Sequence, residues 1–127
     1  MATARDVRTI ALRLPGVSDG EHPLDFGVLV KGKVKGFVWA WRERVEPKRP
    51  RVANARVLAV RVADTDVKAA LLAGDPDVCF TEPHYNGFPA VLVRLPAVRV
   101  AILRELVVGA WRCLAPKPLV AAYDAKR

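Results

Sequence analysis

The stretch from Thr81 to Pro89, TEPHYNGFP, holds the side chains best suited to chemistry. It contains one of only two histidines, His84, directly before Tyr85 and two residues after Glu82. A histidine near a carboxylate can act as a general base, so these three residues are candidates for a small-ligand or enzymatic pocket. The alternative is structural. Asn-Gly between two apolar runs is a strong hairpin signal, in which Asn86 and Gly87 adopt the positive φ angles of the turn and His84 and Tyr85 pack over the sheet edge. We expect the structural role to predominate.

No catalytic signature accompanies this stretch. The sequence has no GxSxG, no HExxH, no glycine-rich phosphate loop and no paired-carboxylate motif. Cys79 and Cys113 stand alone, and His22 and His84 are the only histidines, which is too few ligands at workable spacing for structural zinc. We therefore expect no catalytic residue, no metal and no cofactor, and two cysteines that act as small buried apolar side chains.

The positive charge is concentrated in one segment. The chain carries a net charge of +8, and the part from Lys31 to Arg56 has nine basic residues against two acids, so it accounts for +7. Charge of this density predicts a polyanionic partner. The candidate nucleic-acid contacts are Lys31, Lys33, Lys35, Arg42, Arg44, Lys48, Arg49 and Arg51. The lysines could instead serve only to keep sheet edges from pairing with other chains.

Hydrophobic periodicity predicts the elements that position these groups. Thr3 and Asp6 resemble a capping box for a first helix that Pro15-Gly16 ends. A period of two begins at Phe26, and the best-defined helix runs from about residue 98 to 114, with Ile102, Leu103, Leu106, Val107, Ala110, Cys113 and Leu114 on its apolar half. A short helix capped by Asp64 or Thr65 turns Val67, Ala70 and Leu71 inward.

The predicted order is α-β-β-β-α-β-β-α. Short connections favour antiparallel pairing, so we expect an α+β fold in a single domain spanning residues 1 to 127. It is a two-layer sandwich with a mainly antiparallel five-stranded sheet and helices on one face. The Pro-rich basic stretch from Arg42 to Asn54 is predicted as a loop.

Three aromatic residues alternate along the second predicted strand. Phe37, Trp39 and Trp41 share one strand face with Lys33 and Lys35. We expect this face to meet the helices, because exposing three large aromatic side chains is costly. If it instead faces water, the mixture of aromatic and basic residues forms a stacking platform for single strands.

The apolar runs are all shorter than the roughly 20 residues that span a bilayer. Charged residues interrupt the apolar pattern of the N-terminal stretch, which is therefore no signal peptide. These features predict a cytoplasmic protein without membrane contact, either a monomer or a weak homodimer.

Essentially the whole chain resembles the MmcQ/YjbR-like family of small bacterial proteins, and the resemblance is strongest in the second half. The matching pieces are an early LPGV (Leu14 to Val17), a leucine-rich helix ending in Asp75-Pro76, PHYNG from Pro83, VLVRL from Val91, and a finish of AW…APK from Ala110. The resemblance implies a fold like that of type III secretion chaperones, described as double-wing, and a predicted DNA-binding role. The family offers no catalytic motif to carry over.

Three functional hypotheses follow. The leading one is a non-enzymatic DNA-binding protein that contacts phosphates through residues 31–56. The second is a protein-interaction adaptor that uses a sheet face or apolar groove, as secretion chaperones do. The third is a small-ligand or enzymatic site around Glu82, His84 and Tyr85.

Overall fold

A computed structural model describes residues 1–44 and 46–126. Its helices are α1 (Ala4–Leu12), α2 (Thr65–Gly74), α3 (Val100–Leu114) and α4 (Lys117–Ala125). Its strands are β1 (Val17–Asp19), β2 (Phe26–Val30), β3 (Lys33–Glu43), β4 (Val52–Arg61), β5 (Cys79–Phe80) and β6 (Ala90–Arg94). The sheet order is β1-β2-β3-β4-β6-β5, and every neighbouring pair is antiparallel.

The predicted two-layer α+β fold is confirmed, with helices α1 and α3 on one face of the sheet. The structure adds two elements to the predicted order. The short edge strand β1 follows Gly16, and helix α4 follows the last predicted helix. None of the helices in the described part of the chain is long and apolar enough to cross a membrane.

The local signals for α1 act as expected. The Thr3 side chain accepts from the Asp6 backbone N–H, and the Asp6 carboxylate accepts from the Thr3 N–H at 2.9 Å. The chain then turns at Gly16, whose φ of +74° lies in the left-handed region that favours glycine. The indole Nε1 of Trp111 donates to the Pro15 carbonyl at 3.0 Å, which ties this turn to α3.

The buried face of α3 is rotated from the predicted one. The buried residues Leu103, Val107, Ala110 and Trp111 recur at i, i+4, i+7 and i+8. This rotation places Trp111, the largest fully buried side chain, at the centre of the core and leaves Ile102 and Cys113 exposed. The predicted apolar face of α3 was therefore centred too close to Ile102. The prediction rested on the spacing of apolar residues alone and took no account of the large volume of Trp111.

A β-bulge in β3 overturns the expectation for the tryptophans. Phe26 pairs with Val38 while Gly27 pairs with Gly36, so Phe37 is an extra residue in the ladder. Both Phe37 and Val38 enter the core beneath the helices. The alternation therefore shifts by one residue, and Trp39 and Trp41 lie on the opposite face of the sheet.

The basic stretch is less of a loop than predicted. β3 continues to Glu43 and β4 begins at Val52, because the two strands still pair at Glu43↔Val52 and Arg42↔Ala53. The Asn54 side chain also donates to the Glu43 carboxylate at 3.0 Å. Within this turn Val45 lies outside the described residues.

Candidate functional site

The sheet face away from α1 and α3 carries a second apolar cluster. Its buried members are Val57, Ala59, Tyr85, Ala90 and Leu92, with Trp39, Trp41 and Phe80 packed half-buried against them. The connection between β5 and β6, residues 81–89, folds back over part of this face. The tryptophans therefore pack against residues of the strands and of the connection, and not against helices α1 and α3.

The connection has a different backbone from the predicted hairpin. Pro83–Tyr85 form one 3₁₀ turn, and the Phe88 N–H then donates to the Tyr85 carbonyl at 3.0 Å. Asn86 has φ −61° and ψ 129°, and Gly87 has φ +77°, which is a type II turn. Only Gly87 adopts a positive φ, so the prediction of positive φ at both residues is wrong. The 3₁₀ turn makes the connection longer than a two-residue hairpin loop allows.

Lys68 of α2 holds the β5–β6 connection in place through two hydrogen bonds to its backbone. Its Nζ donates to the backbone carbonyls of Tyr85, at 2.5 Å, and Phe88, at 3.0 Å. Lys68 is the one buried charged residue in the described part of the chain, and burial lowers the pKa of its ammonium group. The predicted inner face of α2 was wrong in this respect, since Val67 and Ala70 are exposed and Lys68 points inward.

A cleft of about 330 Å³ opens between β3, the start of β4 and the connection. It is lined by Trp39, Arg42, Arg51, His84, Tyr85 and Phe88. Two groups of residues that the sequence suggested separately therefore meet in one place. Arg42 and Arg51 come from the basic segment, and His84 and Tyr85 come from the TEPHYNGFP stretch.

Aromatic side chains form a connected wall of the cleft. Trp39 Nε1 donates to the Tyr85 hydroxyl at 3.0 Å. Phe88 lies edge-on to both rings, with centroid distances of 6.3 Å to Trp39 and 6.0 Å to Tyr85. His84 is exposed and lies edge-on to Tyr85 at 5.8 Å. The hydrogen bond and the edge contacts hold the wall in one arrangement.

The polar side of the cleft is positively charged. One Arg51 nitrogen donates to the Arg42 carbonyl at 3.0 Å and lies 3.7 Å from the Glu82 carboxylate. Within the described residues, the Arg42 guanidinium makes no hydrogen bond or ion pair, and the buried Glu82 Oε1 has no hydrogen-bond partner. Among the residues that the structure describes, no carboxylate lines the cleft itself. The arrangement can accept an anion without first breaking a close ion pair.

The other predicted contacts divide between two distant places. Arg44, Lys48 and Arg49 are exposed on the turn that joins β3 to β4, close to the cleft in sequence. Lys31, Lys33 and Lys35 surround the β2–β3 turn at the opposite end of β3. At about 3.3 Å per residue, an 11-residue strand separates these groups by roughly 30 Å.

Some exposed cations of the turn already have partners. Arg49 Nε lies 3.1 Å from the Glu46 carboxylate, in an ion pair whose side chains are mostly exposed. Arg44 donates to the carbonyls of Pro47 and Arg49 at 3.1 and 3.2 Å, which shapes the turn. Exposed pairs of this kind are weak, so they leave the turn electrostatically positive.

A second groove of about 520 Å³ lies further along the same face. Its lining includes Trp41, Phe80 and Arg94, and the Arg94 guanidinium stacks 4.1 Å from the Phe80 ring centroid. Trp41 Nε1 is buried without a hydrogen-bond partner among the described residues.

Sequence reasoning missed Phe88 and Lys68 as site residues, and it included Trp39 only in the alternative of a stacking platform. The bulge hid the orientation of Trp39, and nothing local to α2 distinguishes Lys68 from a solvated helix lysine. Phe88 could have been found from its place in TEPHYNGFP, directly after the Asn-Gly pair.

The second histidine and the cysteines form no further site. His22 Nδ1 accepts from the Leu24 N–H at 3.0 Å, a local turn contact. Cys79 is buried, but Cys113 is exposed, which corrects the expectation that both are buried. Burial raises the pKa of the Cys79 thiol, and partial burial also raises the pKa of the Cys113 thiol. The described residues contain no cluster of three or more metal-ligating side chains.

The fold and the cleft define a small two-layer α+β domain with an arginine- and aromatic-lined cleft on the open face of its sheet. The chain is 42% identical over 134 residues to uncharacterized protein Mb2600 of Mycobacterium bovis and, to the same extent, to uncharacterized protein Rv2570 of Mycobacterium tuberculosis. The match covers 98% of this chain and 98% of each relative. The chain belongs to the family of these mycobacterial proteins.

A solved structure has a similar fold. Deinococcus radiodurans protein DR2400, a DUF419 domain protein, superposes with a TM-score of 0.60 and covers 87% of this chain and 77% of its own. The two sequences are 22% identical, so this likeness concerns the fold alone. No protein-family model matches the chain.

Proposed function

We propose that this protein is a cytoplasmic, non-enzymatic nucleic-acid-binding protein of the MmcQ/YjbR-like kind. The contact surface is the β3–β4 end of the sheet, formed by the turn cations Arg44, Lys48 and Arg49 together with the cleft arginines Arg42 and Arg51. We call these five residues the basic end. The DUF419 structural likeness and the sequence resemblance support the family assignment.

One observation carries the proposal: five cations surround a single strand-to-strand turn, and two of them line a cleft free of carboxylates. Arginine offers paired N–H donors that match phosphate oxygens, and exposed lysines add point charge. The acids of the turn, Glu43 and Glu46, are engaged with Asn54 and Arg49. The surface therefore retains a net attraction for polyanions.

The contribution of the lysines around the β2–β3 turn to nucleic-acid binding can be tested separately from that of the basic end. Duplex binding through the five residues of the basic end gives a log-log salt slope of about −4 to −5, and adding Lys31, Lys33 and Lys35 brings it to about −7. The slope thus reports whether one or both ends of β3 contact the nucleic acid.

The test is binding of a labelled duplex and a labelled single strand across a salt series. The variant Lys48→Gln/Arg49→Gln removes two exposed charges from the basic end. Arg5→Gln/Arg104→Gln removes two exposed charges from the helix layer and is the matched control. We expect the first variant to weaken binding and flatten the slope by about 2, and the control to leave the slope unchanged. Equal effects of the two variants would overturn the proposal.

A further inference from the structure

The cleft combines two kinds of recognition that few ligand classes satisfy together. Its aromatic wall consists of Trp39, Tyr85 and Phe88, and its polar edge consists of the Arg42 and Arg51 guanidinium groups. Aromatic rings take planar ligands, and paired guanidinium groups take phosphate or carboxylate. A ligand with a planar ring at one end and an anionic group at the other uses both.

The size of the cleft limits the ligand to a single unit. Its volume of about 330 Å³ is near the lower end of the range for small-molecule sites, about 300 to 1,000 Å³. A base pair within a duplex does not fit such a cleft, because its ring faces are covered by the neighbouring pairs. One unstacked base with its phosphate does.

The electrostatics leave the anion position open. Arg51 is three-quarters buried, with 27% of its side chain exposed, and its hydrogen bond to the Arg42 carbonyl fixes its direction. Its one carboxylate neighbour, Glu82, is 3.7 Å away, a long contact that a phosphate can outcompete. Arg42 has no partner among the described residues, so its guanidinium can turn toward the ligand without losing a contact.

We propose that the cleft holds one nucleotide unit, with the base against the Trp39–Phe88 wall and the phosphate between Arg42 and Arg51. This inference deepens the proposed function and rests on it for the source of the ligand. The shared chemistry is a planar base joined to a phosphate. The source is either a free mononucleotide or an unpaired nucleotide of a polymer.

The first arm of the test is titration calorimetry at low salt with adenosine 5′-monophosphate, adenosine and inorganic phosphate. We expect the mononucleotide to bind at least tenfold more tightly than either half. Arg42→Gln should weaken it at least tenfold, while the charge-matched Arg104→Gln on α3 should not. Arg42 is the better variant, because Arg51 also holds the Arg42 backbone. Equal affinity for mononucleotide and phosphate, or an Arg42→Gln variant that binds normally, would overturn the proposal.

The second arm distinguishes the sources. Displacement of a labelled single strand by the mononucleotide, with a blunt duplex left bound, identifies an unpaired nucleotide of a polymer. Mononucleotide binding that leaves both polymers in place identifies the free nucleotide. Either result supports the proposal that the cleft binds one nucleotide unit.

The two proposals fail in different ways. If polymer binding depends on Lys48 and Arg49 but the mononucleotide does not bind, the cleft assignment is wrong and the proposed function stands. If the mononucleotide binds through Arg42 but no polymer does, the proposed function is wrong and the cleft assignment stands.

Discussion

Trp39 Nε1 donates a 3.0 Å hydrogen bond to the Tyr85 hydroxyl and thereby joins β3 to the 3₁₀ turn of the β5–β6 connection, 46 residues away in sequence. Without it, the half-buried indole N–H would meet an apolar wall. The bond therefore contributes both to the stability of the connection and to the shape of the cleft.

Tyr85→Phe should destabilise the fold by about 1 to 2 kcal/mol, because it removes the acceptor and leaves the indole N–H unpaired. Urea unfolding measures this loss. The same measurement on Trp39→Phe and on the double variant gives a coupling energy of about 1 kcal/mol. Additive losses from the two single variants would mean that the hydrogen bond does not contribute.

Lys68→Met should cost about 1 to 3 kcal/mol, since methionine keeps much of the stem but removes the ammonium hydrogen bonds to the Tyr85 and Phe88 carbonyls, which then keep only their backbone donors Phe88 and Ala90. Guanidinium unfolding of the variant measures the loss. Lys117→Met, at an exposed position of α4, is the control and should be near neutral.

The pH dependence of stability should also report Lys68. Burial lowers the pKa of the folded-state ammonium below the ordinary value of about 10.4, so between the two values the unfolded chain binds more protons. The free energy of unfolding of the wild type should therefore rise with pH through this window, relative to Lys68→Met. A difference that stays constant or falls as the pH rises toward the ordinary pKa of about 10.4 would contradict the assignment.

Gly16→Ala should be strongly destabilising, by about 2 kcal/mol or more, for two reasons. The φ of +74° is unfavourable for alanine, and the new Cβ would lie 2.7 Å from Leu119 Cδ1 of α4. Gly87→Ala is the matched comparison, because its φ is +77° but nothing lies within 4 Å. Thermal unfolding should rank the Gly16 variant below the Gly87 variant; the reverse order would contradict the packing of α4.

The two thiols should differ in reactivity. Cys113 is exposed and its Sγ donates to the Gly109 carbonyl at 3.2 Å, while Cys79 is 4% exposed. A raised pKa leaves little thiolate in either at neutral pH. A colorimetric thiol reagent at pH 8 should modify one cysteine slowly and the other only after unfolding, and Cys113→Ser should abolish the native signal. Rapid modification of two thiols in the native protein would be inconsistent with these positions.

Sequence patterns predicted the positions of the helices and strands better than the face that each of them buries. The capping box of Thr3 and Asp6 and the helix cap at Asp64 depend on neighbours within four residues, and both appear in the structure. The period of two, by contrast, breaks at Phe37 in β3. The inward turn of Trp111 depends on the depth of the core and on the Pro15 carbonyl, 96 residues away. Such information is not present in local spacing.

The candidate site was predictable in its parts but not in their assembly. In the sequence, Arg42 and Arg51 lie about 30 to 45 residues before His84 and Tyr85, and the pairing of β4 with β6 brings them to one cleft. Lys31, Lys33 and Lys35 illustrate the opposite case. They are close to Arg42 in sequence but lie at the far end of an extended strand.

The extra residue at Phe37 also has a consequence for descent. Removal of the Phe37 codon would restore simple alternation without turning the strand over, because Val38 already lies opposite Phe26 on the helix face and Trp39 already lies on the open face. One in-frame deletion would therefore remove the bulge and the buried Phe37 ring while leaving the aromatic cleft in place. An alignment that overlooks the extra residue would assign a relative's tryptophan to the wrong side of the sheet.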